Sequence, residues 1–209
     1  MINGEIHEHG YWNPDTAHQH HVHSPALSKW IGEFLDSRGH VKELDCVLDF
    51  GCGLGNYIKD LRDAGFDFAY GVDGLPAKQA VINDIIPFDL SQKITFENKG
   101  IFERIPAHGL SNVNVISLEV GEHIPAEFMD NYLYNITQFC DDYLITSWAV
   151  RGQDGFGHVN CLDNHEILPH FERRGFKLLD AETQEARAVI EDNCHWFRNT
   201  LFVFQKNNK

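Results

Sequence analysis

The sequence predicts an α/β fold in which buried parallel strands alternate with helices. The first indication is a short apolar run over residues 46–50 that ends in three glycines at alternate positions, just where a helical spacing of apolar residues begins. The second is another apolar run, over residues 68–72, that ends in Asp73. A strand, a glycine turn and a helix in this order present unpaired backbone N–H groups to the polar end of a ligand.

Residues 25–35, ahead of the first strand, are expected to form a helix that packs on the sheet. Their apolar residues recur at helical spacing. Ser24 is a suitable N-cap, and Pro25 takes the first helical position, where its missing N–H costs nothing.

Beyond Asp73 the chain alternates between apolar runs and amphipathic segments. The expected helices are residues 75–84, 126–140 and 164–174, with a loop over residues 151–157. The expected strands are residues 85–90, 113–118, 143–148, 176–180 and 200–205, the last two antiparallel. The third strand has an alternative position within residues 93–106, which are also apolar in part.

Length and composition limit the class of protein. The 209 residues suit one domain, with an arm and helix over residues 1–38 and the core over residues 40–206. No apolar run reaches the ~20 residues of a membrane span, the N-terminus lacks signal-peptide features, and the five cysteines form no C-x-x-C pair. We therefore expect a soluble, intracellular (cytoplasmic) protein without disulfides or membrane contact.

Net charge bears on the partner. The formal charge is −14, with 17 Lys and Arg against 31 Asp and Glu, and no basic run is present. Because nucleic acids are bound largely through Lys and Arg, a nucleic-acid partner is disfavoured.

The glycine turn itself points to a cofactor. Dinucleotide sites have the spacing G-x-G-x-x-G, whereas this turn reads D-x-G-x-G-x-G. The pattern resembles the signature of class I S-adenosylmethionine (SAM) methyltransferases. That resemblance implies a seven-stranded, doubly wound, mostly parallel sheet with SAM at the turn. It further implies that the methionine part of SAM lies against Asp49, Gly51, Gly53 and Gly55, and that Asp73 holds the ribose.

The same resemblance suggests an adenine-binding residue. The third strand of this fold often ends in an acid that takes the adenine amino group, and Asp89 is the candidate. If the third strand instead lies within residues 93–106, the adenine would be met near Gly100 and Ile101.

A second polar cluster follows the fourth strand. Glu119, Glu122 and His123 stand at i, i+3 and i+4, so they converge on one side of a helical turn at the carboxyl edge of the sheet. Carboxylates with an imidazole form a metal-ligand arrangement. An oxygen-rich set with one histidine favours Mg²⁺ or Mn²⁺ over zinc.

This E-x-x-E-H spacing resembles the motif after strand four in ubiquinone-biosynthesis O-methyltransferases and in the plant small-RNA 3′-terminal 2′-O-methyltransferase. In the latter, a second histidine after strand five completes a divalent-metal site, which implies His158 as the fourth ligand with His165 in reserve. Many related methyltransferases carry a Glu-His pair there without a metal. In that case His123 or His158 would act as a general base.

The acceptor is suggested by resemblance alone. Residues 40–205 are similar to small bacterial and viral methyltransferases, and to chlorovirus enzymes that methylate glycan deoxysugars such as rhamnose. This implies O-methylation of a sugar or glycan, in a protein that a virus could encode and that would act in a host cell. The alternatives are a phenol or quinone precursor, an RNA ribose, or SAM binding without turnover.

The N-terminal arm has two interpretations. It carries aromatic residues and six histidines, which are His7, His9, His18, His20, His21 and His23. It is either a solvated surface arm or weak metal chelator, or a lid over SAM that supplies an acid or base, as N-terminal extensions do in this family. Four aromatic residues are candidate platforms for an acceptor ring, or else core residues: Tyr11, Trp12, Trp148 and Trp196.

Overall fold

A computed structural model describes residues 6–74, 79–95, 97–98 and 112–207. Its strands are β1 (Cys46–Phe50), β2 (Phe68–Asp73), β3 (Ile86–Pro87), β4 (Val113–Ser117), β5 (Tyr143–Ser147), β6 (Phe176–Leu178) and β7 (Leu201–Lys206). They form a seven-stranded sheet in the order β3-β2-β1-β4-β5-β7-β6. Strands β1 to β5 run parallel, and β7 is antiparallel to both β5 and β6. This confirms the predicted doubly wound, mostly parallel sheet.

The helices lie on both faces of the sheet. They are α1 (Pro14–His20), α2 (Pro25–Ser37), α3 (Asn56–Asp63), α4 (Met129–Gln138), α5 (Asn164–Glu172), α6 (Asp180–Ala188) and α7 (Phe197–Thr200). Helix α2 begins as predicted, because Ser24 accepts the N–H of Leu27 and Pro25 occupies the first turn. Helices α6 and α7 lie where no helix was predicted, and α1 lies in the arm, of which only residues 25–35 were assigned to a helix. No helix in the described ranges is long and apolar enough to cross a membrane.

Two apolar layers pack against the sheet. Every residue of β1 is buried, as expected for a central strand with neighbours on both sides. Its side chains alternate between the two layers: Leu48 and Phe50 pack with residues of α4 and α5, whereas Val47 packs with residues of α2 and α3. The central strand therefore fixes the glycine turn, which follows it directly, on a rigid base.

The predicted helix over residues 75–84 is wrong in its described part. Residues 79–84 form turns instead. The N–H of Val81 donates to the carbonyl of Leu54 at 2.9 Å, and a Cβ on Gly55 would lie 2.5 Å from Ile82. These contacts hold the segment against the glycine turn, so tertiary packing overrides the local helical pattern.

The third strand is shorter than predicted. Of residues 85–90 only Ile86 and Pro87 pair with β2. After Pro87 the N–H of Phe88 still donates to the carbonyl of Asp73 at 2.8 Å, and Asp89 then begins a turn in which its Oδ1 accepts the N–H of Ser91 at 3.0 Å. Residues 93–95 and 97–98 of the alternative strand are not in a strand. The alternative adenine position at Gly100 and Ile101 lies outside the described residues.

The other elements match their predictions with shifted ends. The helix expected over residues 126–140 divides into a 3₁₀ turn, Ala126–Phe128, and α4. The antiparallel strands expected at residues 176–180 and 200–205 are β6 and β7.

Candidate active site

A cavity of about 340 Å³ lies at the carboxyl edge of the sheet. Several parts of the chain line it. They are the arm over residues 9–22, the glycine turn, the end of β2, Leu90, the loops after β4 and β5, and the segment of Trp196 and Phe197. The carboxyl edge is where ligands bind in open α/β sheets, and the volume lies within the range of small-molecule sites.

The glycine turn approaches the cavity closely. Gly51 and Gly53 have φ of 82° and 53°, a left-handed conformation that favours glycine. A Cβ on Gly51 would lie 2.4 Å from Val120. The N–H of Gly53 donates to Asp73 Oδ2 at 2.9 Å, which joins the turn to the end of β2. Gly55 caps α3 and does not line the cavity.

Asp49 provides a buried acid behind this turn. It is 2% exposed, and its Oδ2 has no hydrogen-bond partner among the described residues. Burial, and then the charge of Asp73, raises the pKa of Asp49 to about 8. A buried oxygen without a partner beside a glycine cradle fits a ligand that carries positive charge and hydroxyl groups, as SAM does.

Asp89 does not line the cavity, although the next residue, Leu90, does. Its carboxylate accepts a hydrogen bond from His9 Nδ1 at 2.5 Å. The arm therefore holds the residue predicted to meet the adenine.

Glu119 is held in an unusual conformation. Its φ of 52° is the one left-handed value at a non-glycine residue in the described part of the chain. Its N–H donates to Ser147 Oγ at 2.7 Å, and its carboxylate accepts from Gln153 Nε2 at 2.5 Å and Thr200 Oγ1 at 3.3 Å. These bonds fix the backbone that carries Glu122 and His123.

Glu122, His123 and His158 come together beside the cavity, and their ligand atoms lie within 4.8 Å of one another. Glu122 is fully buried, and neither carboxyl oxygen has a hydrogen-bond partner among the described residues. His158 Nε2 lies 3.9 Å from Glu122 Oε1. Burial, followed by the charge of Glu119, raises the pKa of Glu122 well above its usual value.

The other two predicted ligands lie outside this group. Glu119 is bound to Gln153 and Thr200 as described. His165 is exposed on α5.

Backbone carbonyls orient both histidines. His123 Nδ1 donates to the carbonyl of Gly157, and His158 Nδ1 donates to the carbonyl of Gln153, each at 3.2 Å. Because a carbonyl only accepts, each Nε2 carries the lone pair. Burial lowers the pKa of His123 to about 3 and also lowers that of His158, so both are neutral near pH 7. Metal-binding histidines commonly show this arrangement.

The arm packs over the glycine turn and the end of β2, where both line the cavity. His21 packs on the glycine turn, where a Cβ on Gly53 would lie 2.4 Å from its ring, and Tyr11 packs on Gly74 in the same way. Burial, and then the charge of His23, lowers the pKa of His21 to about 4. The sequence marked the arm as rich in histidines and aromatic residues, but its contacts depend on the tertiary fold.

The aromatic candidates divide into two sets. Trp148 is a core residue: it is 1% exposed, and its Nε1 donates to the carbonyl of Asn160 at 2.7 Å. Tyr11, Trp12 and Trp196 line the cavity. So do two further rings that stack on each other: that of His20, one of the six arm histidines, and that of Phe156, which the sequence did not single out. The sequence could have pointed to Phe156, because it is an aromatic residue within the glycine-rich loop 151–157.

No protein-family model and no curated protein sequence matches the chain. Solved structures do match. Magnesium protoporphyrin IX methyltransferase from Synechocystis PCC 6803 with bound SAM is 17% identical, with 91% of this chain and 80% of that chain covered, at a TM-score of 0.52. The sugar N-methyltransferase KedS8 from Streptoalloteichus sp ATCC 53650 is 14% identical, with 88% of each chain covered, at a TM-score of 0.52.

A SAM-dependent methyltransferase from Anabaena variabilis ATCC 29413 is 15% identical, with 85% of this chain and 84% of that chain covered, at a TM-score of 0.51. Likeness at these identities concerns the fold. The chain therefore has the fold of the class I SAM-dependent methyltransferases.

Proposed function

We propose that the protein is a SAM-dependent O-methyltransferase that acts on a hydroxyl of a sugar or glycan, such as a deoxysugar of the rhamnose type, with help from a divalent metal ion. One observation carries this proposal. The glycine turn, with Asp49 and Asp73, and two members of the ligand group, His123 and His158, line the same cavity, and Glu122 lies beside these histidines. A methyl donor and an activated hydroxyl must meet in one place for transfer.

The cofactor half of the cavity suits SAM, which supplies a methyl group on a positively charged sulfur. Asp73, positioned by the N–H of Gly53, would accept hydrogen bonds from the ribose hydroxyls. Asp49 is protonated near neutral pH in the free protein, and a cation beside it would favour its ionised form. The close backbone of Gly51 and Gly53 excludes water from the methionine part.

The acceptor half suits a metal better than a histidine base. A general base works best with a pKa near the working pH, and the pKa of His123 is about 3. Two imidazole nitrogens and a carboxylate favour Mn²⁺ over Mg²⁺, and a divalent ion there would lower the pKa of a bound hydroxyl. Glu122, His123 and His158 would hold the ion, and Glu119 remains the predicted fourth ligand.

The cofactor is tested by calorimetric titration with SAM, S-adenosylhomocysteine (SAH) and NAD. We expect SAM and SAH to bind and NAD not to bind. An Asp73→Ala variant should bind SAM at least about tenfold more weakly, because it loses hydrogen bonds to two hydroxyls. Asp67→Ala, at the exposed opposite end of β2, is the matched control. Preferential binding of NAD would overturn the assignment of SAM as the cofactor.

Turnover is tested by SAH release with methyl rhamnoside, catechol and a short RNA, with and without Mn²⁺ after chelation. We expect release with the sugar and only in the presence of the ion. SAM binding without release from any acceptor would indicate a binding module. Activity that survives exhaustive chelation would rule out the proposed role of the metal. Turnover on catechol or RNA but not on the sugar would reject the sugar acceptor.

A further inference from the structure

The charge of the cavity wall is one-sided. The described residues that line it include Asp73 and Asp154, and two further acids whose pKa burial raises, Asp49 and Glu119, but neither lysine nor arginine. A buried anion without a cationic partner is costly, so this wall disfavours an acceptor that carries a carboxylate or a phosphate. The buried His21 does not offset this, because burial lowers its pKa to about 4 and leaves it neutral.

Three aromatic rings face one another at the acceptor end of the cavity. The rings of His20 and Phe156 stack with centroids 4.6 Å apart and planes 5° apart. Trp12 stands across them, with interplanar angles of 75° to His20 and 72° to Phe156. We call Trp12, His20 and Phe156 the aromatic wall. It joins the arm to the loop after β5.

The aromatic wall adjoins the proposed reaction centre. The ring of Trp12 contacts that of His123 edge to face, with centroids 5.0 Å apart. Asp154 lies two residues before Phe156 and also lines the cavity. A ring held by the wall would therefore lie close to His123, in a cavity that an acidic side chain also lines, and aromatic faces bind apolar ring faces and cations.

We propose that the aromatic wall is the subsite for the acceptor ring, and that the cavity admits uncharged or amine-bearing rings and excludes rings with a carboxylate or phosphate. This inference rests on the proposed function, because it assigns the acceptor class of the same site. It makes Trp12, His20 and Phe156 specificity-determining residues.

Two ring-matched series test the inference by calorimetry, with SAH present and absent. The first is methyl glucoside, methyl glucosaminide and methyl glucuronide. The second is 4-hydroxybenzyl alcohol, tyramine and 4-hydroxybenzoate. In at least one series we expect the neutral and amine members to bind at least tenfold more tightly than the carboxylate. Equal or tighter binding of the carboxylate in both series, or no binding by any of the six, would overturn the inference. Failure to bind SAH would instead count against the proposed function.

Variants separate a binding role from a structural one. Phe156→Ala should weaken binding of the neutral ring compounds at least fivefold while leaving SAH affinity unchanged. Phe156→Tyr should restore binding of those ring compounds. Val159→Ala, exposed on the same loop, is the matched control. Asp154→Lys should reduce the difference in binding affinity between the neutral ring compounds and those that carry a carboxylate. A protein in which Phe156→Ala and Asp154→Lys both leave ring binding unchanged would contradict the aromatic wall as a subsite.

Discussion

Two buried clusters of histidine and acid stand at opposite edges of the same sheet. At the amino edge, His40 Nδ1 donates to Asp45 Oδ2 at 2.8 Å, and the N–H of Val41 donates to the same oxygen at 2.9 Å. His40 Nε2 also lies 3.4 Å from Asp142. At the carboxyl edge, Glu122 has no hydrogen-bond partner among the described residues, and its histidine neighbour His158 stands 3.9 Å away.

Both clusters combine the same residue types with deep burial, but their acids differ in hydrogen bonding. Asp45 Oδ2 accepts two hydrogen bonds while its Oδ1 has no partner among the described residues, whereas neither oxygen of Glu122 has one. Buried polar groups in a structural role are hydrogen-bonded, so the amino-edge cluster reads as part of the framework. A buried carboxylate left without partners beside a cavity is retained at a cost in stability, which is typical of a functional site. Stability measurements on matched variants can therefore distinguish the two clusters.

The largest effect is expected at the amino edge. Asp45→Ala leaves His40 buried without its carboxylate, and breaking a buried pair costs about 3–5 kcal/mol. Urea unfolding measures the loss. Asp142→Ala, whose side chain is 26% exposed, is the control and should cost about 1 kcal/mol or less. Equal losses for the two variants would mean that burial does not set the strength of this cluster.

Asp49 extends the comparison to a second acid at the carboxyl edge. Burial and Asp73 raise its pKa from 3.8 to about 8, so between these values the native state holds a proton that the unfolded chain has lost. The stabilisation that this group contributes is fully present below about pH 4. It falls by about 1.4 kcal/mol per pH unit as the pH rises from about 4 to about 8, and it is lost above that range.

An Asp49→Asn variant lacks this titration. Relative to the parent protein, it should gain about 3 kcal/mol in free energy of unfolding between pH 5.5 and 7.5. Asp67→Asn, at an exposed site, should show no such change. A constant difference between parent and Asp49→Asn over this range would show that Asp49 is ionised in the free protein.

Glu122→Gln should have the opposite sign to Asp45→Ala. Replacing a buried carboxylate that lacks partners with a neutral amide should raise the free energy of unfolding by about 1–2 kcal/mol when measured with a chelator. Mn²⁺ binding by calorimetry should weaken at least about tenfold in the same variant. A destabilised Glu122→Gln protein would place Glu122 in the framework, alongside Asp45.

The smallest stability effect is expected in the arm. His9 and Asp89 are 26% and 24% exposed, and such pairs contribute about 1 kcal/mol or less. If the arm is a lid, His9→Ala should nevertheless speed the release of labelled SAM in a chase with unlabelled SAM. His18→Ala, exposed on α1, serves as the control. Unchanged release would favour the solvated-arm interpretation.

The sequence was informative where local pattern and burial agree. The apolar run of β1 and the alternate glycines after it could only suit a central strand and a tight turn, and the resemblance added the strand count. Prediction failed between β2 and β4, because a turn begins at Asp89 and Val81 bonds to Leu54 rather than forming a helix. Neither effect is visible in periodicity.

The candidate site was likewise predictable only where local sequence pattern determines position. Strand ends and spacing placed Glu119, Glu122 and His123 at the carboxyl edge, because parallel strands deliver their following loops there. The partners that orient them are distant in sequence: Gln153 and Gly157 follow the next strand, and the arm docks from the chain start. Spacing cannot predict such contacts, so the orientation of the histidines required the structure.

The distribution of tryptophan gives the protein a built-in optical reporter. Trp12 and Trp196 line the cavity, and Trp148 packs against Gly121, next to Glu122. Only Trp30 of the four tryptophans stands apart, on the surface of α2. Most of the intrinsic fluorescence therefore arises beside the site, and ligand binding should shift or quench it without any attached dye.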